Sequence, residues 1–268
     1  MEYMGLADLH MHTLYSWDGT STVAAVLKQA LDHTNLDVIA ITDHDCLSGA
    51  LEALELAPFY GIDVIPGCEI STSQGHLLAY FITQPVPSGL SLIETVLRVG
   101  ELGGLCVAAH PSAKMSNSLH PQVISDALKD ADVARVLVGI EVYNAGVVHK
   151  SGNTIAKALA DGLPVAQVGN SDAHMLWMVG RGATYFPGCT ANGLRHALEK
   201  RSTIAIAGPS CKPVRVISQW LTRYLLRRFG LVAWNAGPQT PIRFGRPLPV
   251  ELLNSTGSLS MVDTLAQH

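Results

Sequence analysis

The sequence predicts an α/β domain built from repeated strand–helix units, and three observations carry that prediction. Short apolar, β-branched runs recur at spacings of roughly 25–35 residues. The stretches between them place apolar residues on one helical face, as Val23, Val26, Leu27 and Ala30 do. Hydrophobic residues make up 48% of the 268 and charged residues 15%, enough for a sizeable core and too apolar for a disordered or collagen-like chain. Repeated units of this kind predict parallel strands, closed into a barrel or left as an open sheet, and periodicity leaves both closures open.

In order along the chain, Gly5–His12 reads as a strand and Thr22–Asp32 as a helix. Val38–Thr42 is a short apolar strand; Ser48 is placed to cap the helix Gly49–Tyr60 with its hydroxyl. Asp63–Ile70 and His76–Ile82 are strands, Leu90–Leu102 a helix, and Leu105–His110 the next strand. Pro121–Asp130 begins with the proline typical of a first helical turn. Gly139–Asn144 and Pro164–Asn170 are strands flanking a helix at Asn153–Asp161, and the helix Ala191–Lys200 ends a series with seven strands.

The chain then changes character. Cys211–Pro213 reads as a linker, and Val216–Phe229 as an amphipathic helix with Ile217, Trp220, Leu221, Tyr224 and Leu225 on one face and the basic Arg223, Arg227 and Arg228. Gly237–Pro249 holds Pro238, Pro241, Pro247 and Pro249, which predicts an irregular segment, and residues 255–268 are polar enough to fray. The expected division is a domain over residues 1–210 and an extension over 211–268.

Composition narrows the function classes. A net charge of −4 is unlike the basic footprint of a dedicated duplex-nucleic-acid binder. Five scattered cysteines without a C-x-x-C pair argue against a disulfide scaffold or a cysteine zinc module and point to a reducing compartment. There is no apolar run of about 18 residues, and Met1–Gly19 lacks a basic-then-apolar leader. The expectation is a cytoplasmic protein with no transmembrane segment.

The informative feature is where histidines and acids fall. The first strand ends in Asp8-Leu-His10-Met-His12, which puts two imidazoles on one face about 6–7 Å apart, able to grip one cation. Other strands end in Thr42-Asp43-His44-Asp45, Gly67-Cys-Glu69, His110-Pro111 and Asn170-Ser-Asp172-Ala-His174. C-terminal strand ends share one face of an α/β sheet or barrel, where sites are usually built. Gathering so many imidazoles and carboxylates without a cation would leave uncompensated buried charge, at several kcal/mol per group. Imidazole and carboxylate donors without thiolate suit Zn²⁺, Mn²⁺ or Fe²⁺. Eight or nine donors exceed one ion's capacity, so two or three ions are expected, a number suited to phosphate-ester hydrolysis.

Asp8-Leu-His10-Met-His12-Thr, Ser16-Trp-Asp18-Gly, Ile41-Thr-Asp43-His44-Asp45, Gly67-Cys-Glu69-Ile, Ala109-His110-Pro111 and Gly169-Asn-Ser-Asp172-Ala-His174 together resemble the motifs of the polymerase-and-histidinol-phosphatase (PHP) family, in its order, over about residues 5–206. The resemblance implies a distorted (βα)7 TIM-like barrel carrying a metal-dependent phosphoesterase centre, here with a C-terminal helical and irregular extension. Carried over by motif, His10, His12, Glu69 and Asp172 would hold one ion. Glu69 would bridge to a second ion held by His110, with His76 an additional candidate or a rim histidine. Asp18, His44 and His174 would hold the third.

Asp43 could orient His44 or a neighbouring ligand, or cap the next helix. Asn144 could face substrate or satisfy a turn. Arg181, in Gly180-Arg-Gly182, could grip a substrate phosphate bidentately or pair with a surface acid. The expected activity is hydrolysis of a phosphate monoester of a small metabolite or nucleotide. A 5′–3′ exonuclease or oligonucleotide phosphodiesterase and a non-catalytic metal-binding scaffold are the alternatives; the C-terminal helix is expected to pack on the barrel or to form a homodimer interface.

Overall fold

A computed structural model describes residues 3–113, 117–146, 151–209, 212–232 and 240–245. The chain runs β1 (Met4–Asp8), α1 (Val23–His33), β2 (Val38–Ile41), α2 (Ser48–Tyr60), β3 (Asp63–Thr72), β4 (Gly75–Tyr80), α3 (Leu92–Glu101) and β5 (Leu105–Ala108). It continues through α4 (Pro121–Ala127), α5 (Ala131–Val136), β6 (Leu137–Asn144), α6 (Ser151–Asp161), β7 (Ala166–Asn170), β8 (Gly182–Pro187), α7 (Ala191–Lys200), β9 (Ile204–Ala207) and α8 (Pro213–Arg228). The predicted irregular segment Gly237–Pro249, except residues 240–245, and residues 255–268 lie outside the described residues, as does Cys211 of the linker.

The strands form one sheet, ordered β7-β6-β5-β4-β3-β2-β1-β8-β9, that curls into a nearly closed barrel. At the seam the Thr184 hydroxyl accepts from the Gly169 amide at 3.0 Å and donates to the Gly169 carbonyl at 2.9 Å. Gly169 has to be small here, because a Cβ would lie 2.7 Å from the Ala183 carbonyl oxygen.

Among the described residues nine strands replace the seven expected; β8 and β9 are the additions. The all-parallel expectation also gives way. β3/β4, β4/β5, β1/β8 and β8/β9 are antiparallel, while β1/β2, β2/β3, β5/β6 and β6/β7 are parallel. Ser73-Gln74 joins β3 to β4 opposite the Thr72–Gly75 pair, and so short a link permits a hairpin but no crossover helix. Ser48 is the first residue of α2 rather than its cap: Leu47 precedes it in helical conformation, with no side-chain cap bond.

Two apolar clusters hold the fold. One packs the helices on the outside of the sheet. The other joins residues from most strands, including Ala7, Val38, Ile65, Leu78, Val107, Val168 and Phe186, to Leu194, Ala197 and Leu198 of α7. Side chains from so many strands can meet only inside the barrel, so α7 plugs that end. The opposite end, where β1, β2, β5 and β7 finish, is left for polar chemistry. No described helix is long and apolar enough to cross a membrane.

Candidate metal centre

His10 and His12 lie just beyond the last residue of β1 and keep its alternation, so both imidazoles face inward. His10 Nε2 is 3.1 Å from Glu69 Oε2 and 3.5 Å from Asp172 Oδ1, and His12 Nε2 is 3.3 Å from each. Glu69, on β3, is the hub. His44 Nδ1 lies 3.2 Å from its Oε2, while His76 Nδ1 and His110 Nε2 lie 2.8 and 3.0 Å from its Oε1. On the outer side, Asp18 Oδ2 lies 2.9 Å from His174 Nε2 and 3.3 Å from His44 Nε2. These residues form four overlapping groups able to hold an ion: His12/Asp18/His44/His174, His10/His110/Asp172, His10/His12/Glu69 and His44/Glu69/His76.

The antiparallel setting of β4 explains His76. It opens its strand, but its register partner is Ser71 near the end of β3, so it emerges at the same mouth as the other donors.

The donor set fits divalent cations. His10 Nε2, His12 Nε2, His76 Nδ1, Asp18 Oδ1 and Asp172 Oδ1 are buried without a directed hydrogen bond, although oppositely charged atoms lie within 4 Å of the three imidazole nitrogens and of Asp172 Oδ1. Close but misdirected lone pairs are what side chains converging on common points produce. Without an ion, protons must balance the charge. Burial opposes protonation of His12, but Asp172 and Glu69 outweigh it and raise its pKa to about 10. His10 is likewise pulled down by burial and pushed well above its usual range by Asp172, Glu69 and Glu141. Burial raises Glu69 and Asp172, yet the imidazoles, His10 foremost, hold both well below the ordinary carboxylate range. The Cys68 thiol, pushed up by burial and donating to the Asp43 carbonyl at 3.4 Å, offers no thiolate.

A second layer aims the ring nitrogens. Glu141 accepts from His10 Nδ1 at 3.0 Å, the His110 amide at 2.7 Å, Asn144 Nδ2 at 2.9 Å and Asn170 Nδ2 at 2.8 Å. Asn144 also donates to Asp172 Oδ2 at 3.1 Å, which ties two donor-bearing segments together. Ser16 Oγ sits 3.2 Å from His12 Nδ1 and accepts from the His44 amide at 3.1 Å. His110 and Asp172 both adopt positive φ, at 28° and 49°, a strain of about 1–3 kcal/mol each that marks sites where geometry is imposed.

Sequence reading missed Glu141, Ser16 and Asn170 as supports. The available signal was one acid, Glu141, inside the apolar strand run Leu137–Val142.

Asp43 accepts from the Thr13 amide and hydroxyl, both at 2.6 Å, and so anchors the residue after His12 rather than capping α2. Arg181 is engaged elsewhere. Its Nε and Nη1 donate to the carbonyls of Trp177 at 3.1 Å and Pro209 at 2.9 Å, and its guanidinium lies over the Trp177 ring.

A barrel whose mouth gathers imidazoles and carboxylates around shared points can hold divalent ions, and the family matches make the class a metal-dependent phosphoesterase. The chain belongs to the PHP family; residues 8–87 match the PHP domain and residues 150–203 the PHP-associated model. It is 36% identical over 162 residues to an uncharacterized protein of Methanocaldococcus jannaschii, covering 56% of this chain and 88% of the relative. It is 25% identical over 186 residues to a 3′,5′-nucleoside bisphosphate phosphatase of Chromobacterium violaceum, covering 67% of this chain and 65% of that protein. The fold resembles a two-domain Bacteroides vulgatus protein containing a predicted PHP-like metal-dependent phosphoesterase. That match has TM-score 0.62 and 20% identity, over 84% of this chain and 70% of that one.

Proposed function

We propose that this chain hydrolyses a phosphate monoester of a small metabolite or nucleotide at a centre of two or three Mn, Zn or Fe ions. The observation that carries the reading is the convergence of His10, His12, Asp18, His44, Glu69, His76, His110, Asp172 and His174 into four overlapping donor groups, two of which share Glu69. His10, His12, Glu69 and Asp172 would hold one ion, Glu69 with His110 and His76 a second, and Asp18, His44 and His174 the third. Bound divalent ions would supply Lewis acidity to phosphoryl oxygens and acidify an attacking water.

The chain's own residues orient that machinery. Glu141 and Ser16 hold Nδ1 of His10 and His12, leaving each Nε2 facing the cluster. Asp43 fastens Thr13 behind His12. His44 and His174 stand partly exposed at the rim, so an incoming phosphate meets them first. A phosphate grip is not assigned to Arg181, whose guanidinium already serves two carbonyls.

The nucleoside bisphosphate phosphatase supports a nucleotide-sized substrate. The nuclease alternative needs a basic groove, and Arg227, one of the three arginines available for it, is committed to loop carbonyls. We also read residues 1–210 as the catalytic barrel and 211–268 as an extension through which two copies pair. Four free cysteines among the described residues suit a cytoplasmic setting.

The test is metal analysis of the full chain, then turnover of nucleoside monophosphates, sugar phosphates, an aryl phosphate, an aryl diester and a short oligonucleotide. Monoesters should be the preferred substrates. Faster cleavage of the oligonucleotide would replace this reading with the nuclease one, and silence with every ion would favour a scaffold.

A further inference from the structure

We infer that α8 is a working part of the metal centre, with Arg227 and Trp220 as positioning residues that hold Asp18 in the His12/Asp18/His44/His174 group. This rests on the metal-centre reading. Asp18 sits on an irregular loop between β1 and α1. Arg227 Nη2 donates to the Leu14 carbonyl at 3.0 Å, and its Nη1 to those of Ser16 at 2.8 Å, Trp17 at 3.2 Å and Gly19. Trp220 Nε1 donates to the carbonyl of Asp18 itself at 3.0 Å. Five carbonyls of one short loop thus turn toward one helix, four of them onto one guanidinium. Converging carbonyl dipoles repel one another unless a cation sits among them, and a planar five-donor guanidinium suits that role better than a lysine would.

The same loop faces the cluster with its side chains. Ser16 Oγ lies 3.2 Å from His12 Nδ1, and Asp18 Oδ2 lies 2.9 Å from His174 Nε2 and 3.3 Å from His44 Nε2. The loop's ends have their own ties: the Leu14 amide donates to Ser21, and the Thr20 amide to His174. The stretch between them, which bears Asp18, takes its carbonyl partners from α8. That helix has no fully buried residue, so these bonds and the Val216 and Trp220 contacts are much of what docks it. It also lies beyond both segments that match the family models. Coupling of this kind is reciprocal: α8 favours an ion at the outer group, and an ion there favours a docked α8.

The experiment titrates metal-free full-length protein with Mn²⁺ by calorimetry. Arg227→Ala should weaken one class of site by about 10- to 100-fold, the usual effect of losing a support behind a ligand, and leave the other class unchanged. Arg227→Lys should fall between, low guanidinium concentrations should restore the lost class in Arg227→Ala, and the exposed change Arg228→Ala should match wild type. In the reverse direction, Mn²⁺ should slow tryptic cleavage within α8 of the wild-type chain. If Arg227→Ala fails to fold, Trp220→Phe, which keeps an aromatic ring without the indole N–H, is read by the same criteria. An unchanged isotherm, or equal weakening of every class, would overturn this inference alone. A wild-type chain that takes up no metal would overturn the metal-centre reading and this inference with it.

Discussion

Glu141→Gln is the most informative single perturbation of the supporting layer. Oε1 of Glu141 takes the bonds from His10 and Asn170, and Oε2 those from His110 and Asn144. A glutamine keeps one oxygen and turns the other into a donor, so either amide orientation sets an NH₂ against two N–H groups. Bonds to a charged acceptor contribute about 1.5–3 kcal/mol each, so losing two costs about 3–6 kcal/mol. That range overlaps the roughly 3–5 kcal/mol seen when a buried ion pair loses one partner. Against a typical total of about 5–15 kcal/mol it is a large fraction. Urea unfolding of the metal-free protein, followed by circular dichroism, should show a lower midpoint at unchanged slope, the shift multiplied by that slope giving a loss of this size. Metal affinity should fall by about 10- to 100-fold, because His10 loses the group that aims its Nε2. An unchanged midpoint together with unchanged affinity would refute the assignment of Glu141 as the anchor.

Four further outcomes are expected. His12→Ala or Asp172→Ala should abolish turnover of an aryl phosphate with the far-ultraviolet spectrum preserved; normal turnover in either would remove that residue from the centre. Metal binding near pH 8 should release protons, since His12 in the metal-free protein titrates at about 10; binding enthalpies that do not vary between buffers of different ionisation heat would contradict this. The same shift fixes a stability trend. A histidine raised from 6.5 to about 10 contributes stability that is complete below 6.5 and lost as pH rises through 10, so metal-free protein should weaken across that window. Arg181→Ala should lower stability by about 1–3 kcal/mol while changing turnover less than about threefold, because its bonds brace Trp177 and Pro209. A large rise in KM would restore it as a phosphate contact.

Much of the site was legible in the linear chain, for a physical reason. Strand alternation puts His10 and His12 on one face whatever surrounds them, and C-terminal strand ends share one mouth in any parallel α/β sheet. Acids and histidines at those ends therefore marked the cluster that the structure brings together. The strand–helix alternation likewise stated the fold class, and the motif order pointed to a barrel.

What only the tertiary structure decided were relations across long separations, which no local pattern encodes. The antiparallel β8 and β9 were set by long-range pairing, and the β3–β4 hairpin reverses β4 and so brings His76 to the mouth although it opens that strand. Asp43, Glu141 and Arg181 each had a charge whose use depended on the nearest opposite dipole. For Asp43 that dipole belongs to Thr13, for Glu141 to His10 and His110, and for Arg181 to Trp177 and Pro209. Hydrogen-bond energy falls away within a few tenths of an ångström, so packing, rather than residue type, chose among the partners each could have taken.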